Sequence, residues 1–142
     1  MADRLLVLDT HVWVWIVTGE REALSDNAIG EIEEASHRGN LLIPAICIWE
    51  LAILDARGRL TLTRPIVDWV RLALRARGVR LLDLTPEIAI ASTRLPGPPH
   101  GDPADRMIIA SARSVGARLA TRDRRILDYA AQGHVAVLNA NP

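Results

Sequence analysis

Four acidic residues sit where apolar segments leave little reason for a carboxylate: Asp9 closes LLVLD, Glu50 lies inside AICIWELAIL, Asp105 follows Asp102-Pro103-Ala104, and Asp123 ends ATRD. Glu is rarely buried without a partner, so Glu50, in a segment that otherwise reads as a core-facing helix, is the most informative of them. Read singly, each has a structural alternative. Glu50 could face solvent or pair with an Arg, Asp105 fits a helix-terminus acid, Asp123 an N-cap and Asp9 a turn former. Read together, acids from four separate elements can converge on one sheet edge, which separate structural roles would not require. Carboxylates ~4–5 Å apart repel by several kcal/mol per pair at an effective dielectric near 20, so the cluster needs a cation. Hard oxygen donors select Mg²⁺, or Mn²⁺. Such an ion with bound water suits phosphodiester cleavage, because it orients a nucleophilic water and neutralises charge on the phosphoryl oxygens.

The elements that must position these acids are legible from apolar periodicity. Short aliphatic runs at residues 5–8, 41–43, 80–84, 118–121 and 135–138 read as strands covered on both faces. Helical stretches fill the gaps at 25–38, 45–57, 66–77, from Thr85-Pro86-Glu87 to before Pro96, 104–115 and about 124–132, several opening on a good cap and closing on Gly. This alternation predicts an α/β fold, a three-layer α/β/α sandwich on a mostly parallel sheet of four to five strands. Open parallel sheets bind ligands outside the carboxyl ends of their strands, and Asp9 and Asp123 both fall there. The segment PGPPHG at 96–101 reads as a stiff surface loop within one domain spanning 1–142.

With 142 residues the chain fits one domain, which buries roughly 68–70% of the surface its unfolded form exposes. A lone Cys47 rules out an intramolecular disulfide and a cysteine metal site, which favours a reducing cytosol. MADRLLVLDT is too short and too interrupted for a signal peptide, and no apolar run approaches the ~20 residues of a membrane span, so a soluble, cytoplasmic protein is expected. The formal net charge is zero, without the basic excess of a purely electrostatic nucleic-acid binder. All 17 basic residues are arginine. The absence of lysine excludes P-loop nucleotidases and receiver domains, both of which require one. A haloacid-dehalogenase phosphatase would need a second Asp where His11 stands.

The four segments LLVLDTHVWVW, IPAICIWELAIL, HGDPADRMIIASA and LATRDRRI, in this order, resemble the PIN-domain ribonucleases, and most closely the VapC toxins of bacterial toxin–antitoxin pairs. The resemblance covers nearly the whole chain. It implies a metal-dependent endoribonuclease holding Mg²⁺ or Mn²⁺ on Asp9, Glu50, Asp105 and Asp123, with Asp102 close enough to join the cluster. It further implies an RNA substrate, a toxin homodimer and a VapB-like antitoxin that places an Arg against the acids. The competing reading is a catalytically weak PIN-like binding module acting through protein partners.

Thr10 and Thr121, next to the acids, are candidates to support them. Arg106, Arg122, Arg124 and Arg125 flank the later acids and could contact phosphate, the alternative being solvated helix-end charges. Trp13 and Trp15, on a short helix apolar on nearly every side, are candidates for a partner-covered surface, with the core as the alternative, while Trp49 reads as core. Cys47 reads as a small buried filler, His100 as a solvent-facing loop residue, and the orientation of His11 is open.

Overall fold

A computed structural model describes residues 4–97 and 101–142, which places His100 outside the described residues. In chain order the elements are β1 (Leu6–Leu8), α1 (Thr10–Thr18), a 3-10 turn (Arg21–Ala23), α2 (Asp26–Arg38), β2 (Leu41–Pro44), α3 (Ala45–Ala56) and α4 (Ile66–Leu74). There follow β3 (Val79–Leu82), α5 (Pro86–Ala91), α6 (Pro103–Ser114), β4 (Arg118–Thr121), α7 (Arg124–Ala131) and β5 (Val137–Asn139). The strands form one sheet in the order β3-β2-β1-β4-β5, every pair parallel. Strand β1 is central, registered with Leu41 through Leu6 on one side and with Leu119 through Val7 on the other. Leu6, Val7 and Leu8 are all within 1% of complete burial, as a strand covered on both faces must be. No helix among the described residues is long and apolar enough to cross a membrane.

Local chemistry explains most boundaries. Ser25 caps α2 by accepting from Ala28 N, and Gly39 closes it in the left-handed region. Asp102 and Asp123 cap α6 and α7 in the same way, with Pro103 at the first position of α6. Helix α5 stops at Ala91, short of the expected Pro96, where the Ser92 and Thr93 hydroxyls donate to the carbonyls of Ala89 and Ile90 and compete with the helical ladder. Helix α4 ends at Leu74 instead of 77, in tight turns linking Arg75 to Leu72 and Ala76 to Ala73. Those turns lead to Gly78, whose φ of +75° and close approach to the Ser36 carbonyl admit no side chain.

Two aromatic expectations are overturned. Trp13 is 2% exposed and meets Trp69 edge to face with ring centroids 5.4 Å apart, so it belongs to the core and cannot be partner surface. The buried run Val12, Trp13 and Val14 shows that α1 is covered by its own domain. Trp49, read as core, is 56% exposed. Helix α3 is apolar nearly all round, so residue type alone does not mark its inner face; Cys47 and Leu51, four apart, are its buried positions, and Trp49 falls on the opposite side of the turn between them.

Candidate metal centre

The sheet order reverses between β1 and β4, and at the carboxyl ends of those two strands the acids assemble. Asp9 directly follows β1. Its backbone N–H donates to the Ala120 carbonyl at 3.0 Å, tying it to the neighbouring strand. Its carboxylate is fixed twice: Oδ1 accepts from Thr10 N at 2.8 Å, and Oδ2 accepts from the hydroxyl of the fully buried Thr121 at 2.6 Å. Thr121 Oγ1 in turn accepts from Asp123 N at 3.0 Å. On the other side, Thr10 Oγ1 donates to Glu50 Oε1 at 2.6 Å, linking α1 to α3 across 40 residues of sequence. Two threonines thus hold the carboxylates of Asp9 and Glu50 in place. Cys47, one turn before Glu50, is buried, its thiol turned to the Leu8 carbonyl at 3.7 Å and its pKa pushed well up by burial, which fits a filler and not a nucleophile.

Asp9, Glu50 and Asp105 each offer a carboxylate oxygen to one point, the three oxygens lying within 4.8 Å of one another. Asp105 arrives from the first turn of α6, oriented by the Asp102 cap, whose Oδ1 accepts from Ala104 N at 2.8 Å and Asp105 N at 3.2 Å. Asp123 is placed differently. Its Oδ1 caps α7, accepting from Arg125 N at 2.8 Å and Ile126 N at 3.2 Å. Asp102 and Asp123 stand on the wall of the same cleft, a space of about 560 Å³ that His11, Val12, Trp15 and Arg122 also line.

Burial raises the pKa of Asp9, outweighing the hydrogen bonds from Thr121 and Thr10 that favour its charged form. Burial likewise raises Glu50. Asp105 is pushed up to about 8, first by desolvation and then by the negative charges of Asp9, Asp102, Asp123 and Glu50. Neutral-pH charge on this cluster is therefore short of compensation from the protein. Three converging, oriented, all-carboxylate donors that are reluctant to ionise alone fit a hard divalent cation, which would supply the missing positive charge.

The arginines are mostly committed elsewhere. Arg122 lies over the Trp15 ring at 5.0 Å from its centroid and donates to Asn141 Oδ1 at 3.2 Å and to the Ala23 carbonyl at 3.0 Å. Trp15 is accordingly half-buried under Arg122, a cleft wall, with the exposed His11 ring 5.7 Å away. Arg124 is a solvated helix-end charge paired with Asp128 at 3.5 Å. Arg125 is exposed, and Arg106 is half-buried beside Asp105, outside the cleft lining. Thr10 and Arg122 were both singled out from their place beside the acids, but their partners, Glu50 and Trp15, escaped sequence reasoning, because neither partner's spacing signals the other.

A parallel sheet with this order, a carboxylate triad at its switch point and the sequence segments that surround it define a class: the PIN domain model matches residues 6–132, and the chain belongs to the PIN-domain family. Within that family the chain is 39% identical over 124 residues to Ribonuclease VapC22 of Mycobacterium tuberculosis (strain ATCC 25618 / H37Rv), covering 87% of this chain and 91% of that protein. Its backbone resembles a chain in the crystal structure of VapBC2 from Rickettsia felis bound to a DNA fragment from their promoter, with a TM-score of 0.69 at 15% identity, over 96% of this chain and 99% of that one. A chain of the toxin–antitoxin complex from Klebsiella pneumoniae gives a TM-score of 0.65 at 20% identity, over 94% and 96%. At these identities the two structural likenesses speak for the fold.

Proposed function

We propose that this chain is a metal-dependent endoribonuclease that hydrolyses RNA phosphodiester bonds and serves as the toxin of a type II toxin–antitoxin pair in the cytoplasm. The observation that carries the reading is the convergence of Asp9, Glu50 and Asp105 within 4.8 Å at the sheet's switch point, in a chain whose relative is a ribonuclease by name. Asp9, Glu50 and Asp105 would hold a Mg²⁺ ion, with Mn²⁺ the alternative, and Asp123 and Asp102 would act from the cleft wall. When bound, the cation supplies Lewis acidity toward a phosphoryl oxygen and toward water.

The chain's own residues supply orientation and proton transfer. Thr121 and Thr10 lock the Asp9 carboxylate, and Thr10 locks Glu50, so these oxygens need no reorganisation when substrate arrives. A carboxylate of the acid cluster accepts the proton of the attacking water. The cleft lies open to solvent along α1, α3 and α6, as entry of a single strand requires. A VapB-like antitoxin is a protein partner in this reading, supported by the toxin–antitoxin assemblies among the structural neighbours, and a second copy of the chain is a further partner that the family resemblance alone implies. The purified chain, freed of any co-purifying protein, is expected to cut single-stranded RNA with Mg²⁺ and to stop in excess chelator; activity that survives both chelation and each of Asp9→Asn, Glu50→Gln and Asp105→Asn would overturn the site.

A further inference from the structure

We propose that Trp49 and Arg57 form a nucleobase subsite for the RNA strand beside the acid cluster, an inference that rests on the ribonuclease reading and names a specificity element within it. Large aromatic side chains are normally hidden, yet Trp49 is 56% exposed. It lines a second space of about 350 Å³, within the range of small-molecule sites, whose wall includes His11, Glu50 and Asp102 of the cleft already described. An occupant of this space therefore touches residues of the acid cluster. Trp49, Ile53 and Arg57 are spaced four apart on α3 and its cap, so they share one face, with Arg57 about 12 Å along the axis from Trp49. Among the described residues no hydrogen bond or ion pair ties down the Arg57 side chain, unlike those of Arg122 and Arg124.

An indole exposed to solvent, an apolar floor at Ile53 and Leu54 and an uncommitted guanidinium beyond match the needs of a single strand: a base stacks on the ring and the backbone phosphate meets the cation. A protein partner could use the same apolar floor; the guanidinium of Arg57 on the same helix face as Trp49, spaced for a phosphate next to a stacked base, is what favours the strand. The strand is thereby positioned with one phosphodiester over Asp9, Glu50 and Asp105 and the neighbouring base on Trp49. This stacking is sequence-tolerant and sets which end of the scissile bond is gripped.

The test uses the full chain and two probes: oligoadenylate, and an abasic ribose-phosphate strand of equal length. In EDTA, oligoadenylate should quench the emission of Trp49, the most exposed of the tryptophans, and Trp49→Ala should weaken its Kd roughly tenfold to a hundredfold. With Mg²⁺, Trp49→Ala should raise KM by a similar factor and leave kcat within about twofold, Trp49→Phe should recover most of the loss, and Arg57→Gln should weaken both strands. The abasic strand should not distinguish Trp49→Ala from the parent. An unchanged oligoadenylate Kd in Trp49→Ala overturns the subsite, as does equal weakening of the abasic strand, or a changed oligomeric state with RNA affinity intact. If the parent binds oligoadenylate through Trp49 but cleaves no RNA, the nuclease reading fails and the subsite stands.

Discussion

Replacing Asp105 by Asn should make the metal-free protein more stable, and the pH dependence of that gain identifies its source. The carboxyl moves from an ordinary value of 3.8 to about 8 on folding, because burial and the carboxylates around it oppose its charge. The unfolded chain releases this proton near pH 4 while the folded chain keeps it to about pH 8. Between those values the native state binds more protons than the unfolded state, so stability falls as pH rises through the window, and the penalty is complete above it. At about 1.36 kcal/mol per unit the full displacement sets an upper bound near 6 kcal/mol. Asp105 is only partly buried and water screens each like charge on it, which brings the realised penalty to about 2 kcal/mol. Against this, Asn loses the favourable interaction of an anion with the first turn of α6, worth about 0.3–1 kcal/mol. The difference is a net gain of about 1 kcal/mol.

Thermal unfolding in EDTA at pH 4, 6 and 9 reads this directly. The variant and parent should coincide near pH 4, where the parent carries the neutral acid, and diverge to a few °C in favour of Asn by pH 9, at roughly 3–4 °C per kcal/mol for a domain of this size. Added Mg²⁺ should raise the parent's Tm by mass action and close or reverse the gap, because the variant has lost one oxygen ligand. A variant less stable than the parent at pH 9 would show that Asp105 acts mainly as a helix-terminus acid. A gap that does not change with pH would refute the electrostatic account altogether.

Thr121→Val should cost about 1–3 kcal/mol, because it leaves Asp123 N–H without its partner and removes a charge-stabilising bond from Asp9, and it should weaken Mg²⁺ affinity roughly tenfold to a hundredfold in a calorimetric titration; unchanged affinity would mean that the hydroxyl does not orient Asp9. Gly78→Ala places a Cβ 1.8 Å from the Ser36 carbonyl oxygen and should destabilise by about 3 kcal/mol or more in denaturant unfolding, while Gly39→Ala, at a similar φ but in open space, should cost only about 1 kcal/mol. Equal losses at the two glycines would show that the contact at Gly78 relaxes freely.

Strand and helix order was legible because buried parallel strands and capped amphipathic helices each leave a local signature: the runs ending at Leu8 and Thr121 and the Ser25, Asp102 and Asp123 caps all stand where the pattern put them. Glu50 was legible for the opposite reason, as a charge that its helix does not explain. What sequence withheld was direction around a helix. In α1 and α3 nearly every residue is apolar, so periodicity cannot distinguish Trp13, which turns into the core, from Trp49, which turns out. Nor could it rank the acids, since Asp9 and Asp123 both end strands and both cap helices; only the packing of Thr121 between them gives Asp9 the buried position.

The charge distribution explains how a protein of zero net charge can serve a polyanion. Several of its arginines are spent within the fold: Arg118 pairs with Glu31 at 2.7 Å, Arg38 with Glu34 at 2.6 Å, and Arg122 is spent on Trp15, Asn141 and Ala23. The cleft itself is negative, so by long-range field alone it repels RNA. Binding must then be made local, by a cation that reverses the sign at Asp9, Glu50 and Asp105 and by aromatic surface that holds bases regardless of charge. Burial first, and the like charges of the empty site after it, make the acids reluctant to ionise, and a bound cation would strengthen the strand's hold on the cleft by receiving its phosphate there.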